Sequence, residues 1–176
     1  FKVATASSTG TLNSSVTYPG GGTDASDQLL VPAAISSGNS AIEGGAGDDI
    51  FSMSTTTYLS NANTDGFIDG GAGLDTLKLT GAGMTLDVPM MGGTNSKVNL
   101  QSVEVLDITG TGNNTLVLSL NDVLHLGAVN AFPTASGAAS NVQLKIDGDA
   151  GDVVKLMDLV GSTDPGSWVA DSASLS

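Results

Sequence analysis

Gly44-Gly45-Ala46-Gly47-Asp48-Asp49-Ile50-Phe51-Ser52 and Gly70-Gly71-Ala72-Gly73-Leu74-Asp75-Thr76-Leu77-Lys78 decide the reading of this chain. Both fit the nonapeptide G-G-x-G-x-D-x-U-x at every specified position, U being a large apolar residue. The glycine half makes a tight turn whose carbonyls can be aimed inward, and the aspartate adds a carboxylate. These are ligands for Ca²⁺, a hard cation that takes roughly six to eight oxygens. The second half reads as a short strand whose large residue, Phe51 or Leu77, packs inside. A single match in a glycine-rich chain is weak, but two matches with aspartate recurring at the sixth position point to calcium.

The spacing of the motifs qualifies that reading. In a calcium roll they recur about every nine residues, so that each ion is shared between successive turns. Here they start at residues 44 and 70, which are 26 apart. The expectation is therefore isolated calcium loops at loop–strand junctions of a non-repetitive β domain.

Composition supports a calcium protein. The 176 residues hold sixteen aspartates, two glutamates, five lysines and no arginine, for a formal charge of −13. That charge excludes nucleic acid as an ordinary partner, because neutralising phosphates takes Lys and Arg. Cysteine is absent, which suits a reducing cytosol or an extracellular protein stapled by metal. Extracellular calcium modules bind at roughly 10⁻⁴–10⁻³ M, and without cations so many carboxylates repel one another, so the extracellular reading is preferred. No apolar run reaches membrane-spanning length, and direct membrane insertion is not expected. The start at Phe1-Lys2-Val3 reads as a module of something longer.

Short apolar stretches between Gly/Asn/Asp turns give an all-β signature from residue 41 onward. The expected strands are Asp75–Leu79, Met84–Val88, Val98–Leu100, Val103–Ile108, Thr115–Leu120, Val142–Ile146 and Val153–Met157. Several alternate with period two, as in Leu116/Leu118/Leu120, and would present one apolar face to a core. Residues 1–40 are irregular, with Gln28-Leu29-Leu30-Val31 the best strand candidate. One short helix is expected over Ser119–Gly127, with Ser119 and Asp122 in capping-box spacing and Gly127 at its end. Leu120, Val123 and Leu124 would face inward and His125 outward. Residues 127–141 read as a surface loop, and 161–176 as a tail holding the only Trp, Trp168.

The candidate calcium ligands are Gly44, Ala46, Asp48 and Asp49 in the first motif, and Asp69, Gly70, Ala72 and Asp75 in the second. A third candidate is Asp147, Asp149 and Asp152, three acids in a glycine-rich turn one residue short of the nonapeptide. Asp107 with Asn113 and Asn114 is a weaker set, since Asn in a glycine turn usually serves backbone geometry. The chain has no H-E-x-x-H, no G-x-S-x-G and no cysteine nucleophile, and His125 reads as a solvated residue. Enzymatic activity is not expected.

The runs Ile42–Gly45, Ile68–Leu77, Val103–Leu116 and Leu144–Asp152 resemble the RTX (repeats-in-toxin) adhesins of Gram-negative bacteria. In particular they are similar to the calcium-dependent peptide-binding domain near the distal end of such adhesins. The resemblance covers about residues 42–168. It implies a β-sandwich-like domain holding several Ca²⁺ ions in isolated loops. It also implies a secreted protein, held at the bacterial surface, that attaches to host cells, microalgae or other biofilm members. One ion would contact the C-terminal carboxylate of a bound peptide. Two other functions fit the same residues: a calcium lectin for vicinal diols, with Tyr18, Tyr58 and Trp168 the only Tyr/Trp residues to support it, and a calcium-stiffened structural module. The chain is expected to form one domain over 1–176 that continues past Ser176.

Overall fold

The structure, a computed structural model, describes residues 21–33, 40–60, 66–90, 99–132, 141–157 and Trp168. Its strands are short because glycine- and aspartate-rich corners interrupt the apolar runs every few residues. In chain order they are β1 (Gln28–Val31), β2 (Ser40–Ala46), β3 (Ile50–Met53), β4 (Gly66–Ala72), β5 (Thr76–Leu79) and β6 (Thr85–Asp87). There follow β7 (Leu100–Gln101), β8 (Val105–Asp107), β9 (Thr115–Ser119), β10 (Ala128–Val129), β11 (Val142–Gln143), β12 (Lys145–Asp147) and β13 (Val153–Met157). Among the described residues two α-helices interrupt them, α1 (Thr57–Ser60) and α2 (Leu120–Leu126).

The all-β expectation holds, but the strands do not form a sandwich of hairpins. Three sheets run in the orders β1-β3-β5-β8-β12, β2-β4-β7 and β13-β9-β6, and every pairing within them is parallel. Among the described residues only β10 and β11 pair antiparallel. The chain passes from the second sheet to the first and then the third before returning to the second, so each circuit stacks on the one before. This is a three-sided β-solenoid, and its parallel strands are joined by crossovers that are themselves parts of the other sheets.

The registers correct the expectation of isolated loops. Phe51 pairs with Leu77, Gly45 with Gly71 and Ala46 with Ala72. The 26-residue offset of the two motifs is one coil of the solenoid, and the glycine turns lie directly on one another. Coil length varies: equivalent corner residues are 22, 26 and 29 positions apart in successive circuits.

Like stacks on like inside. Leu29, Phe51, Leu77 and Leu106 form one column, and Val31, Met53 and Leu79 a second. Ile42, Ile68 and Leu100 form a third on the opposite sheet. All ten are buried in the core. Both motif residues expected inside, Phe51 and Leu77, are there.

Seven-residue α2 has the expected cap: Ser119 is the N-cap and exchanges hydrogen bonds with Asp122, and Gly127 follows the helix. Leu126 is the helix's buried residue, whereas Leu124 is 58% exposed, contrary to expectation. The helix makes contacts with β7, β9 and β11. His125 is exposed, with Nδ1 2.8 Å from the Asn121 carbonyl. The expected loop 127–141 contains β10; of the expected strand Val98–Leu100, Val98 lies outside the described residues and Leu100 begins β7. No helix among the described residues is long and apolar enough to cross a membrane.

The close stacking makes some glycines irreplaceable for reasons of space alone. A Cβ at Gly70 would overlap the Ser102 carbonyl oxygen of the next coil and the Asp75 carboxylate of its own. At Gly83, with φ 61°, a Cβ meets nothing within 4 Å. Gly83→Ala is therefore expected to cost about 1 kcal/mol of backbone strain, and Gly70→Ala about 3 kcal/mol or more. Urea unfolding of the two variants checks the order, and equal costs would contradict the stacking.

Candidate functional site

Each strand of the first sheet is preceded by an acidic residue up to β8: Asp27, Asp49, Asp75 and Glu104. These four residues stack at one corner and are joined by hydrogen bonds from backbone to side chain. The Asp27 N–H donates to Asp49 Oδ1 at 2.7 Å, the Asp49 N–H to Asp75 Oδ1 at 2.8 Å, and the Asp75 N–H to Glu104 Oε2 at 2.9 Å. Corner N–H groups turned away from strand pairing thus find partners in the next coil. All four side chains are buried.

One position earlier a second ladder runs the opposite way. The Asp48 N–H donates to Ser26 Oγ at 3.1 Å, and the Leu74 N–H to Asp48 Oδ1 at 2.9 Å. The pair Asp48-Asp49 therefore holds its coil from both sides. Asp48 reaches to the coil after it with its carboxylate, and Asp49 accepts from the coil before it.

A third ladder precedes the third sheet. The Met84 N–H donates to Asn114 Oδ1 at 2.8 Å, and the Asn114 N–H to Asp152 Oδ1 at 2.7 Å. Asn114 Nδ2 donates to the Ile108 carbonyl at 2.9 Å, so both ends of this buried amide are satisfied.

The first ladder differs at its second oxygens. Asp27 Oδ2 accepts from Thr23 N–H at 2.6 Å and Thr23 Oγ1 at 2.9 Å. Asp49 Oδ2 and Asp75 Oδ2 are fully buried and have no hydrogen-bond partner. Each lies beside a glycine of its own turn and a carbonyl of the next coil. The space a Gly44 Cβ would fill is taken by Asp49 Oδ2 and the Gly70 carbonyl, and that at Gly70 by Asp75 Oδ2 and the Ser102 carbonyl. Where Asn114 offers its carbonyls an N–H, Asp49 and Asp75 present oxygen. An unpaired buried carboxylate is costly, so these sites call for a proton or a cation.

The remaining candidate ligands make other hydrogen bonds. The Ala46 N–H donates to the Thr23 carbonyl at 3.0 Å, and the Ala72 carbonyl accepts from Gly47 N–H at 2.8 Å. Asp69 lies in β4 and accepts from Gly71 N–H at 3.1 Å and Gln101 Nε2 at 2.5 Å. Asp147 pairs with Lys145 at 2.8 Å, while Asp152 Oδ2 accepts from Asp149 N–H at 2.8 Å. In this third turn Asp147 is thus held by a lysine and Asp152 by N–H groups. Among the described residues no three acidic or histidine side chains converge as a metal cluster. Asp107 pairs with Lys78 at 2.7 Å. The residues that sequence reasoning missed are Ser26, Asp27, Glu104 and the structural role of Asn114. Their signal is an acid or amide two positions before a large apolar residue, as in Asp27-Gln28-Leu29, Glu104-Val105-Leu106 and Asn114-Thr115-Leu116.

Burial pushes the Asp75 carboxyl up to about 6, helped by the charges of Asp49 and Glu104 and opposed by the hydrogen bond from Asp49 N–H. Asp49 is raised for the same reason, with Asp27 and Asp48 beside it. Asp107 goes the other way: burial opposes ionisation, but hydrogen bonds from Lys78 and Thr109 outweigh it and hold its carboxyl below the ordinary range.

A carboxyl raised in the folded state gives stability that is full below the unfolded value near 3.8 and is lost as pH rises through the folded value near 6. With divalent cations chelated, unfolding free energy is expected to fall between about pH 4 and pH 6 and then level off. Asp75→Asn supplies the donor that Asn114 supplies naturally. It should flatten this slope and leave the chelated protein more stable than the parent at neutral pH, by on the order of 2 kcal/mol. Chemical denaturation across the pH range decides it, and a parent whose stability rises between pH 4 and 6 would rule it out.

Comparison of the chain with protein-family models, curated proteins and solved structures finds no significant match, so the site stands on its own geometry.

Proposed function

We propose that the chain is a calcium-stiffened structural module of a secreted bacterial surface protein, of the kind that RTX adhesins represent. The observation that carries this reading is the pair of buried, unpartnered oxygens, Asp49 Oδ2 and Asp75 Oδ2, in glycine turns stacked one coil apart. Oxygen is the donor type Ca²⁺ takes, and the adjoining Gly70 and Ser102 carbonyls add to it. Asp49 and Asp75 with these carbonyls are the residues that would hold the ion. When bound, the ion supplies the positive charge that the buried carboxylates lack.

The chain's own residues do the rest. Their ladder fixes the coils in register, and the glycines leave room for the carboxylates. At the low calcium of a cell interior the paired acids oppose folding. At extracellular calcium, binding to the folded form alone shifts the balance toward it. Both side chains are fully buried. That suits an ion tying coils together better than one offering an open position to a peptide carboxylate or a sugar diol.

The test is thermal unfolding at pH 7.5 with millimolar calcium or with EGTA. Calcium is expected to raise Tm by about 5 °C or more, and the double substitution Asp49→Asn, Asp75→Asn to abolish the response while keeping the fold. A parent protein with the same Tm in both buffers would defeat the calcium reading and leave protons as the partners of these oxygens.

A further inference from the structure

The corners of the first ladder are built alike but not completed alike. Gly22 stands before Asp27 at the same spacing as Gly44 before Asp49 and Gly70 before Asp75. A Cβ at each of these glycines would meet the same two groups: Oδ2 of its own aspartate and a carbonyl oxygen of the next coil. That carbonyl belongs to Gly44 in the first corner, to Gly70 in the second and to Ser102 in the third. Asp27 is thus equivalent to Asp49 and Asp75, and it is buried as they are.

The difference lies in the residue after the glycine. The second and third corners have Gly45 and Gly71, at φ 102° and 97° in the left-handed region, whereas Thr23 of the first is not in that region. The Gly71 N–H donates to Asp69 Oδ1 at 3.1 Å and is spent outside the corner. The Thr23 N–H donates instead to Asp27 Oδ2 at 2.6 Å, and Thr23 Oγ1 donates to the same oxygen at 2.9 Å. Two donors on one carboxylate oxygen supply the positive field that a cation would otherwise supply. In the third ladder Asp152 is completed in the same manner, its Oδ2 accepting from Asp149 N–H at 2.8 Å. Among the described residues, Asp49 and Asp75 alone keep a fully buried side-chain oxygen without a partner.

We propose that Thr23 is a built-in substitute for the cation at the first corner and decides that this corner binds none. It sets which rungs of the ladder take calcium, leaving the task to the Asp49 and Asp75 corners. The first corner is locked with or without calcium, and it gives the calcium-dependent coils an ordered rung to stack on. The assignment rests on the calcium reading of those two corners.

Native mass spectrometry in calcium-containing buffer, counting the ions on the full chain and three variants, tests it. Thr23→Gly removes the hydroxyl and admits the left-handed turn, and is expected to bind one ion more than the parent. Thr23→Ser keeps both donors and Asp27→Asn removes the carboxylate, so both should bind the parent's number. In EGTA, Thr23→Gly is expected to unfold about 5 °C below the parent, a loss that millimolar calcium restores and Thr23→Ser does not show. An equal ion count in the parent and a folded Thr23→Gly, or one ion fewer in Asp27→Asn, overturns the proposal. Asp27→Asn decides the matter even where Thr23→Gly fails to fold. A parent that binds no calcium at all would instead sink the reading of Asp49 and Asp75, and this assignment with it.

Discussion

A backbone N–H of one coil donating to a carboxylate of the next is the contact on which this structure depends. Parallel strand pairing alone leaves register open to a slip of two residues, since the side-chain pattern repeats with that period. The ladder Asp27–Asp49–Asp75–Glu104 removes the freedom, because a short carboxylate reaches only the rung beside it. The change from aspartate to glutamate has a visible cause. Ile68 pairs with Leu100 and Thr76 with Val105, so the turn between them is three residues shorter in the later coil. The glycine turn is gone there, and the longer side chain of Glu104 still reaches the Asp75 N–H.

The same ladder gives the site its character. One oxygen of each central aspartate is consumed in holding the coils, and the other is left facing carbonyls in the dry interior. Register and cation affinity are therefore not separate properties of these residues. Asn114 performs the holding task without the charge, which shows that an amide suffices for structure. An aspartate there brings an added dependence on what the solvent contains.

Much of this was legible in the sequence. The strands at 76–79, 85–87, 115–119 and 153–157 fall inside or on the expected stretches, and the Ser119–Asp122 cap is a local signal read from four residues. The motif pair at 44 and 70 marked a corner at which two glycine turns stack. What misled was the assumption that a repeat must be short and constant. Strand pairing fixes the distance between coils along the axis but not the number of residues in each circuit. A 26-residue offset thus looked like isolation when it was one lap. In the 147–152 turn the Asn114 N–H that holds Asp152 is assigned only by tertiary stacking, whereas the Lys145–Asp147 pair lies within β12. Leu124 looked inward because a helical wheel assumes a broad partner surface, whereas the strands α2 packs on, β7, β9 and β11, are short.

The unequal coils have a consequence for how such a protein changes over generations. Asn114 and Asp152 are adjacent rungs although they lie 38 positions apart, and that circuit carries α2 and the β10–β11 pair with no break in the ladder. Closing a longer loop costs only about 0.6 kcal/mol for each doubling of its length. The corners are thus ports where new segments can be spliced in while the rungs stay fixed. Lineages carrying this scaffold can acquire surface features by insertion without rebuilding the core.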